Sequence, residues 1–251
     1  MGLATFIGGI HPFEGKELSE DKPIKYLEPL QGEVMVYPLS QHIGAPAKPL
    51  VAKGDHVLKG QIIAEAGGFI SANVLSSVSG TVKGIESKLV ANGAMVQSIL
   101  VENDGEEEAI EGFGTDRDAS KLSKEEIRQI VKDAGIVGLG GAGFPTHVKL
   151  TPKDENAIDY VIANGAECEP YLNGDHLTMK NHPEELLKGI ELARIASGLD
   201  KAYYGIEKNK QDAIDLLLSK NPAQYGVETV PENVKYPQGA EKMQIKAITN
   251  R

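Results

Sequence analysis

Apolar and polar positions change their period near residue 102. Before it, apolar residues come in short runs cut by glycine: Glu33-Val-Met-Val-Tyr37, Pro49-Leu-Val51, His56-Val-Leu58, Gln61-Ile-Ile-Ala64, Ala72-Asn-Val-Leu75, Gly80-Thr-Val-Lys-Gly-Ile85 and Val96-Gln-Ser-Ile-Leu-Val101. Strands this short, with turn signals every ~8–12 residues, predict a sandwich or small barrel. After residue 120 the period becomes helical. Ser123 and Glu126 have capping-box spacing and lead into Ile127, Ile130, Val131 and Ala134 on one face, with Gly135 as the stop. Tyr160-Val-Ile-Ala163 predicts a buried strand. Pro183 opens a helix with Leu186, Leu187, Ile190, Leu192, Ala193 and Ile195 on its apolar face, closed by Gly198. Two further strands are predicted over 201–206 and 227–230, and two further helices over 213–218 and 241–249. Strand alternates with helix, so this part is α/β with a mostly parallel sheet. Such sheets present ligands at the carboxyl ends of their strands.

Between the two patterns lies Glu102-Asn-Asp-Gly-Glu-Glu-Glu-Ala-Ile-Glu111, rich in carboxylates and poor in residues to bury. A like-charge block reads as a solvated linker. The predicted organisation is a barrel-sandwich β region over 1–102, an acidic linker over 103–120 and an α/β domain over 121–251. The cadence Lys53-Gly-Asp-His-Val-Leu-Lys-Gly-Gln-Ile-Ile63, followed by Ser79-Gly-Thr-Val-Lys-Gly-Ile85, resembles the biotinyl/lipoyl-type fold. The hairpin that would carry an acylated lysine there, near Ala66-Gly67-Gly68-Phe69, has no lysine. The region is therefore expected to be a structural or docking module without a swinging arm.

Composition narrows the function. In 251 residues, 41% are hydrophobic and 25% charged, the balance of a soluble globular protein. No apolar run approaches the ~20 residues of a membrane span, and Met1-Gly-Leu-Ala-Thr-Phe-Ile7 lacks the basic flank of a signal peptide. A cytoplasmic protein is expected, touching a membrane only through a partner. The net charge of −10 repels phosphate backbones, so no nucleic-acid partner is expected. The single cysteine, Cys168, excludes an internal disulfide, a four-cysteine zinc site and a cysteine-ligated iron–sulfur cluster within this chain. The histidines (His11, His42, His56, His147, His176, His182) show no metal-ligand spacing, and Asp175-His176 reads as an exposed polar loop.

Three loops are candidates for chemistry. Gly138-Leu-Gly140-Gly141-Ala-Gly143-Phe144-Pro145-Thr146 contains G-x-G-x-x-G, but it follows a helix rather than a strand, and Phe144-Pro145 stands where a P-loop needs its lysine. Its bare main chain can approach an anion or a flat ring, with Lys149 adding positive charge, and the spacing equally fits a tight turn. Asn164-Gly165-Ala166-Glu167-Cys168-Glu169-Pro170-Tyr171 follows a predicted strand directly. Asn164 can both donate and accept, as a flavin edge requires. Glu167 and Glu169 can accept from ribose hydroxyls or a carboxamide, and a polar turn fits as well. Cys168 lies between carboxylates that disfavour a thiolate, so it is not expected to be a nucleophile. Tyr236-Pro-Gln-Gly239-Ala240-Glu241-Lys242 joins the last strand to the last helix; Gly239 permits close approach and Glu241 complements the helix dipole.

Taken together, these loops resemble the flavin- and NADH-binding subunits of respiratory complex I. More closely, and with Phe6-Ile-Gly-Gly-Ile-His-Pro12, they resemble the RnfC family, from the Rnf ion-translocating electron-transport complexes, over essentially the whole chain. The resemblance implies a Rossmann-like α/β flavin/NADH-binding domain preceded by the small all-β barrel-sandwich. It implies FMN lined by Gly138, Gly140, Gly141, Gly143, Lys149, Asn164 and Glu167. It places Phe144, Glu169, Tyr236, Gly239 and Glu241 on the NADH side. Leu139 replaces a basic residue of the complex I pattern, and Ala166 and Ala240 replace acidic ones. The implied activity is NADH-dependent flavin reduction, then release of electrons to iron–sulfur clusters, with no side-chain catalytic acid or base. Two [4Fe-4S] clusters are implied for a longer family member, not for this chain. The chain is expected to be an amino-terminal portion truncated within the flavin domain. The implied partners are NAD(H) and the other Rnf subunits, at the cytoplasmic side of the plasma membrane and peripheral. The alternative, from a different class, is a non-catalytic docking or scaffold piece of such a complex.

Overall fold

The computed structural model of the chain describes residues 4–139 and 143–251. Packing divides the chain into two compact units, one formed by Leu27–Lys153 and the other by Met1–Tyr26 with Asp154–Arg251.

The first unit holds β1 (Val34–Pro38), β2 (Lys48–Pro49), β3 (His56–Val57), β4 (Ile62–Glu65), β5 (Val74–Leu75), β6 (Gly80–Leu89) and β7 (Met95–Asn103). One sheet runs β1-β7-β6-β3 and the other β2-β4-β5, with every neighbouring pair antiparallel. The strand alternation read from the sequence turns one face inward. Ile99 and Val101 on β7 join Val57, Ile63, Ala64 and Val82 in a core that excludes water. Tyr37 lies opposite Ile99 and adds its ring to that core.

The acidic segment differs from a free linker. Lys59 N donates to Glu108 O at 2.8 Å and Ile110 N to Lys59 O at 3.1 Å, so the segment is bridged along the barrel. Asp104 accepts from Ser79 Oγ at 2.7 Å and bonds His56 Nε2 at 2.9 Å. Those bonds, with one from Glu106 N, hold the Asp104 carboxyl at about 2. Helix α1 (Lys124–Asp133) follows, and both halves of the capping box form: Ser123 Oγ accepts from Glu126 N at 3.2 Å, and Glu126 Oε2 from Ser123 N at 2.8 Å. Together with α2 (Thr146–Lys149) it packs within this first unit, although its sequence period groups it with the α/β part.

The second unit is a three-stranded parallel sheet, ordered β10-β9-β8, of β8 (Val161–Gly165), β9 (Ala202–Glu207) and β10 (Val227–Glu232). Helices α3 (Gly174–Asn181), α4 (Pro183–Ala196), α5 (Gln211–Ser219) and α6 (Glu241–Thr249) accompany it. Leu187, Ala202, Ile206, Ala213, Ile214 and Leu217 form its core. The predicted strands and α4 to α6 are present within a few residues of their expected limits. Helix α3 was not anticipated; it contains Asp175 and His176, so these do not form an exposed loop, and His176 pairs with Asp212 at 2.7 Å.

The amino-terminal segment is stitched into this unit. Ala4 bridges Glu232 in parallel, Ile10 bridges Tyr236 in antiparallel fashion, and Tyr171 N donates to Glu14 O at 2.7 Å. Among the described residues, no helix is long and apolar enough to cross a membrane.

Candidate functional site

The parallel strands bring their carboxyl ends together: Asn164 is register partner of Gly205, Gly165 of Ile206, and Glu207 of Glu232. Two of the three candidate loops meet there. Asn164 Nδ2 donates to Gly239 O at 2.7 Å, Asn164 Oδ1 accepts from Ala166 N at 3.1 Å, and Gly239 N donates to Cys168 Sγ at 3.3 Å. A Cβ on Gly239 would stand 2.2 Å from Ala166 O, so only glycine lets the loops close this far. Asn164 is exposed. With one amide hydrogen and one lone pair already used, its side chain keeps one of each for a ligand. This remaining donor–acceptor pair fits the edge of a flavin ring.

The carboxylate of Glu167 is engaged differently from expectation. It is 5% exposed and turns inward, accepting from Asp175 N at 2.9 Å and His176 N at 3.4 Å at the start of α3. It serves as an anchor for that helix, where its negative charge is favourable. Cys168 has its thiol pushed up, chiefly by burial, with Glu169 and Glu207 adding to the rise and Gly239 N opposing it. It is a poor nucleophile, as expected, but Glu167 is not among the causes. Glu169, Tyr236 and Glu241 are exposed, and Glu241 lies in the first turn of α6.

Four buried charged residues hold these loops, and no local pattern in the sequence marks them. Lys16, 8% exposed, sends Nζ to the carbonyls of Glu167 (3.0 Å), Glu169 (3.1 Å) and Leu172. Lys235 donates through Nζ to Phe6 O and to Gly8 O, and through its main chain to Glu207 Oε1 at 3.2 Å. Glu207 and Lys210 form an ion pair at 3.6 Å with both side chains 1% exposed. Burial raises the Glu207 carboxyl and lowers the Lys210 amine, while their mutual attraction opposes both shifts. Beside this group, a shallow open cleft with a cavity volume of only about 30 Å³ is bordered by His11, Lys16, Cys168, Glu207, Lys235 and Tyr236.

The glycine-rich stretch belongs to the first unit. Gly138 N donates to Phe144 O at 3.0 Å, and Val137 bridges Pro145, so the described residues on either side of 140–142 pair with each other. Gly143 has φ +62°, and its carbonyl accepts from Ile43 N at 3.3 Å on the barrel. Gly138 and Lys149 are exposed, and Phe144 is half-buried. Gly140 and Gly141 lie outside the described residues.

Comparison with known families also divides the chain in two, with limits that differ from those of the packing units. The RnfC barrel sandwich hybrid domain matches residues 4–106, and the Nuo51 FMN-binding domain matches residues 131–251. The class is therefore a barrel-sandwich module joined to an FMN-binding α/β domain. The chain belongs to the RnfC family. It is 43% identical over 249 residues to the C subunit of the proton-translocating ferredoxin:NAD(+) oxidoreductase complex of Clostridium ljungdahlii, covering 99% of this chain and 54% of the relative. Against the C subunit of the Na(+)-translocating ferredoxin:NAD(+) oxidoreductase complex of Acetobacterium woodii it is 43% identical over 250 residues, covering 98% and 55%. The C subunit of the ion-translocating oxidoreductase complex of Rhodobacter capsulatus is 39% identical over 249 residues, at 97% and 47% coverage. The chain spans about half the length of these relatives.

Proposed function

We propose that this protein is the NADH- and FMN-binding electron-entry part of a membrane-bound Rnf-type complex coupling ferredoxin/NAD redox chemistry to ion translocation. The observation that carries this reading is the match of the FMN-binding domain to the residues that build the Asn164–Gly239 clasp. FMN, when bound, would supply the redox chemistry, that of hydride acceptance and one-electron transfer. The chain's own residues bind and orient. Gly138, Gly140, Gly141 and Gly143 offer bare main chain, Lys149 offers a positive charge, and Asn164 offers its remaining donor and acceptor. Glu167 contributes through the loop it fixes. Phe144, Glu169, Tyr236, Gly239 and Glu241 are assigned to NADH. In this reading the α/β part is Rossmann-like in use, with ligand at the carboxyl ends of its strands. The domain limits proposed from the sequence pattern are 1–102, 103–120 and 121–251. Two [4Fe-4S] clusters, implied for a longer family member and not for this chain, would take the electrons, and the partners are the other Rnf subunits. The protein is peripheral, on the cytoplasmic side of the membrane.

The test is optical. Protein reconstituted with FMN and washed is expected to keep flavin absorbance, and NADH is expected to bleach it. A colourless protein refutes flavin binding by this chain and favours a docking role; a coloured protein that NADH leaves unchanged refutes the NADH assignment alone.

A further inference from the structure

At the end of β10, Glu232 is fully buried, and so is Gln238 in the loop that follows; Gln244 on α6 is 2% exposed. Gln244 Nε2 donates to Glu232 Oε2 at 3.2 Å. Glu232 Oε1 and both ends of the Gln238 amide have no hydrogen-bond partner, although that amide lies beside the carboxyl. The register partner of Glu232 is another buried acid, Glu207, whose charge is met by Lys210. Among the described residues no cation forms an ion pair with Glu232.

We infer that Glu232 is a positioning residue of the candidate flavin loop, holding a proton with which its carboxyl group joins Gln238 to Gln244. An ionised carboxylate here would be an unpaired buried charge beside a second carboxylate, a costly arrangement. The neutral group instead donates from Oε1 to Gln238 Oε1 and still accepts from Gln244. Only Gln238 Nε2 stays unpaired, whereas the ionised form would leave both an orphan and a bare charge. Burial, the largest cause, and Glu207 raise the carboxyl to about 7, against the amides of Gln244 and Gln238, which lower it. The groups facing it are Glu207 on β9, Gln244 on α6 and Gln238 on the loop. The ammonium of Lys235 is directed to Phe6 O and Gly8 O, and the main chain of Ala4 lies alongside.

The consequence reaches the clasp in one residue. Gln238 N closes a turn on Lys235 O at 2.9 Å, and the next residue, Gly239, presents the carbonyl that receives Asn164. A proton on Glu232 therefore fixes the carbonyl that orients Asn164. The purpose of this device rests on the flavin reading above; its chemistry does not.

Two measurements on the protein separate the two. In the flavin-free protein, the carboxyl ¹³C resonance of Glu232, assigned by its loss in Glu232→Gln, is expected to titrate near neutrality. The Asn164 side-chain amide should shift with the same midpoint and stay constant in Glu232→Gln, whose amide reproduces both hydrogen bonds. A Glu232 resonance already ionised at about pH 5, or an Asn164 resonance that ignores it, overturns the inference. In the second measurement FMN is titrated against both proteins. If the neutral form is the competent one, apparent affinity falls ~10-fold from about pH 6 to about pH 8 in the parent, and less in Glu232→Gln, which carries only the titration of FMN itself. Equal pH dependence in both overturns the inference. Absence of FMN binding in both refutes the flavin reading, and the resonance titration still decides the role of Glu232.

Discussion

Lys16 is a residue whose removal should loosen one loop more than the rest of the molecule. Its ammonium reaches three carbonyls of the 167–172 loop. In Lys16→Met an unbranched chain of similar length fills the same channel, so packing is largely conserved and the charge-assisted bonds are what is lost. Such bonds contribute ~1.5–3 kcal/mol each. The losses do not add in full. Glu167 O keeps a contact from Lys210 Nζ at 3.4 Å, and the exposed residues Glu169 and Leu172 can turn their carbonyls to water. A net cost of about 2–4 kcal/mol is expected, concentrated where the carbonyls are. The assay is amide hydrogen exchange on peptides covering 166–173, with peptides from the barrel as internal control. That cost corresponds to protection reduced ~30- to ~700-fold in the loop if exchange proceeds by local opening. Arginine at the same position should recover part of it, since it retains the charge. Protection in 166–173 within a factor of two or three of the parent would refute the assignment of Lys16 as the clamp. Equal loss in the barrel would show a global effect instead.

Gly239→Ala forces a Cβ toward Ala166 O, where 2.2 Å is available, and should cost ~1–3 kcal/mol as an overpacked contact while opening the Asn164 clasp. Urea unfolding followed by circular dichroism checks the first effect, and FMN affinity, expected to fall at least ~10-fold, checks the second. Glu232 gives a pH dependence of definite sign. A carboxyl raised to about 7 keeps a proton that the unfolded chain releases from its ordinary 4.5 upward, so stability falls as pH rises between those values, by about 3 kcal/mol in all. Glu232→Gln should remove that contribution, and a parent-minus-variant difference in stability that is the same at about pH 4 and about pH 8 would contradict it. Ser123→Ala removes the capping hydroxyl of α1 and should cost ~1 kcal/mol, read as lost helicity or a lower melting temperature.

The elements with strong local signals were legible. The barrel strands announced themselves by alternation and glycine punctuation, and the capping box of α1 and the Pro183 start of α4 by single residues. Helix α3 was not, because its segment is mostly polar, with Leu177 and Met179 its only large apolar residues, and its stability comes from Glu167 at its start and from Met179 buried in the core. The Asn164 and Gly239 loops were recognised as candidates, and their direct contact supplies the physical reason for the glycine. The inward turn of Glu167 was not legible: a carboxylate in a loop looks alike whether it faces a ligand or the amides of a helix eight residues on. Lys16, Lys235, Glu207 and Lys210 were missed for a related reason. In sequence they are ordinary charged residues. Their burial depends on partners as far away as 229 residues, as between Lys235 and Phe6, a separation no window along the chain can see.

The amino-terminal stretch shows how lineage and packing divide a chain differently. The barrel-sandwich family match begins at residue 4, yet the residues up to Tyr26 are compact with the parallel sheet. Hydrophobic burial explains only part of this: Phe6 is 7% exposed, with its ring centroid 3.8 Å from Lys235 Nζ, but Ile7, Ile10 and Phe13 are 99%, 62% and 72% exposed. What else binds the segment is main-chain pairing and buried ammonium groups. Ala4 extends the edge of β10, Ile10 pairs with Tyr236, and Lys16 and Lys235 each cap carbonyls across the seam. Exposed backbone at a sheet edge is satisfied by whichever strand reaches it, and here the chain's own start does so. Phe6-Ile-Gly-Gly-Ile-His-Pro12 therefore belongs, in energetic terms, to the loops 164–171 and 236–240 that it borders, and a substitution within it should be read against those loops before the barrel.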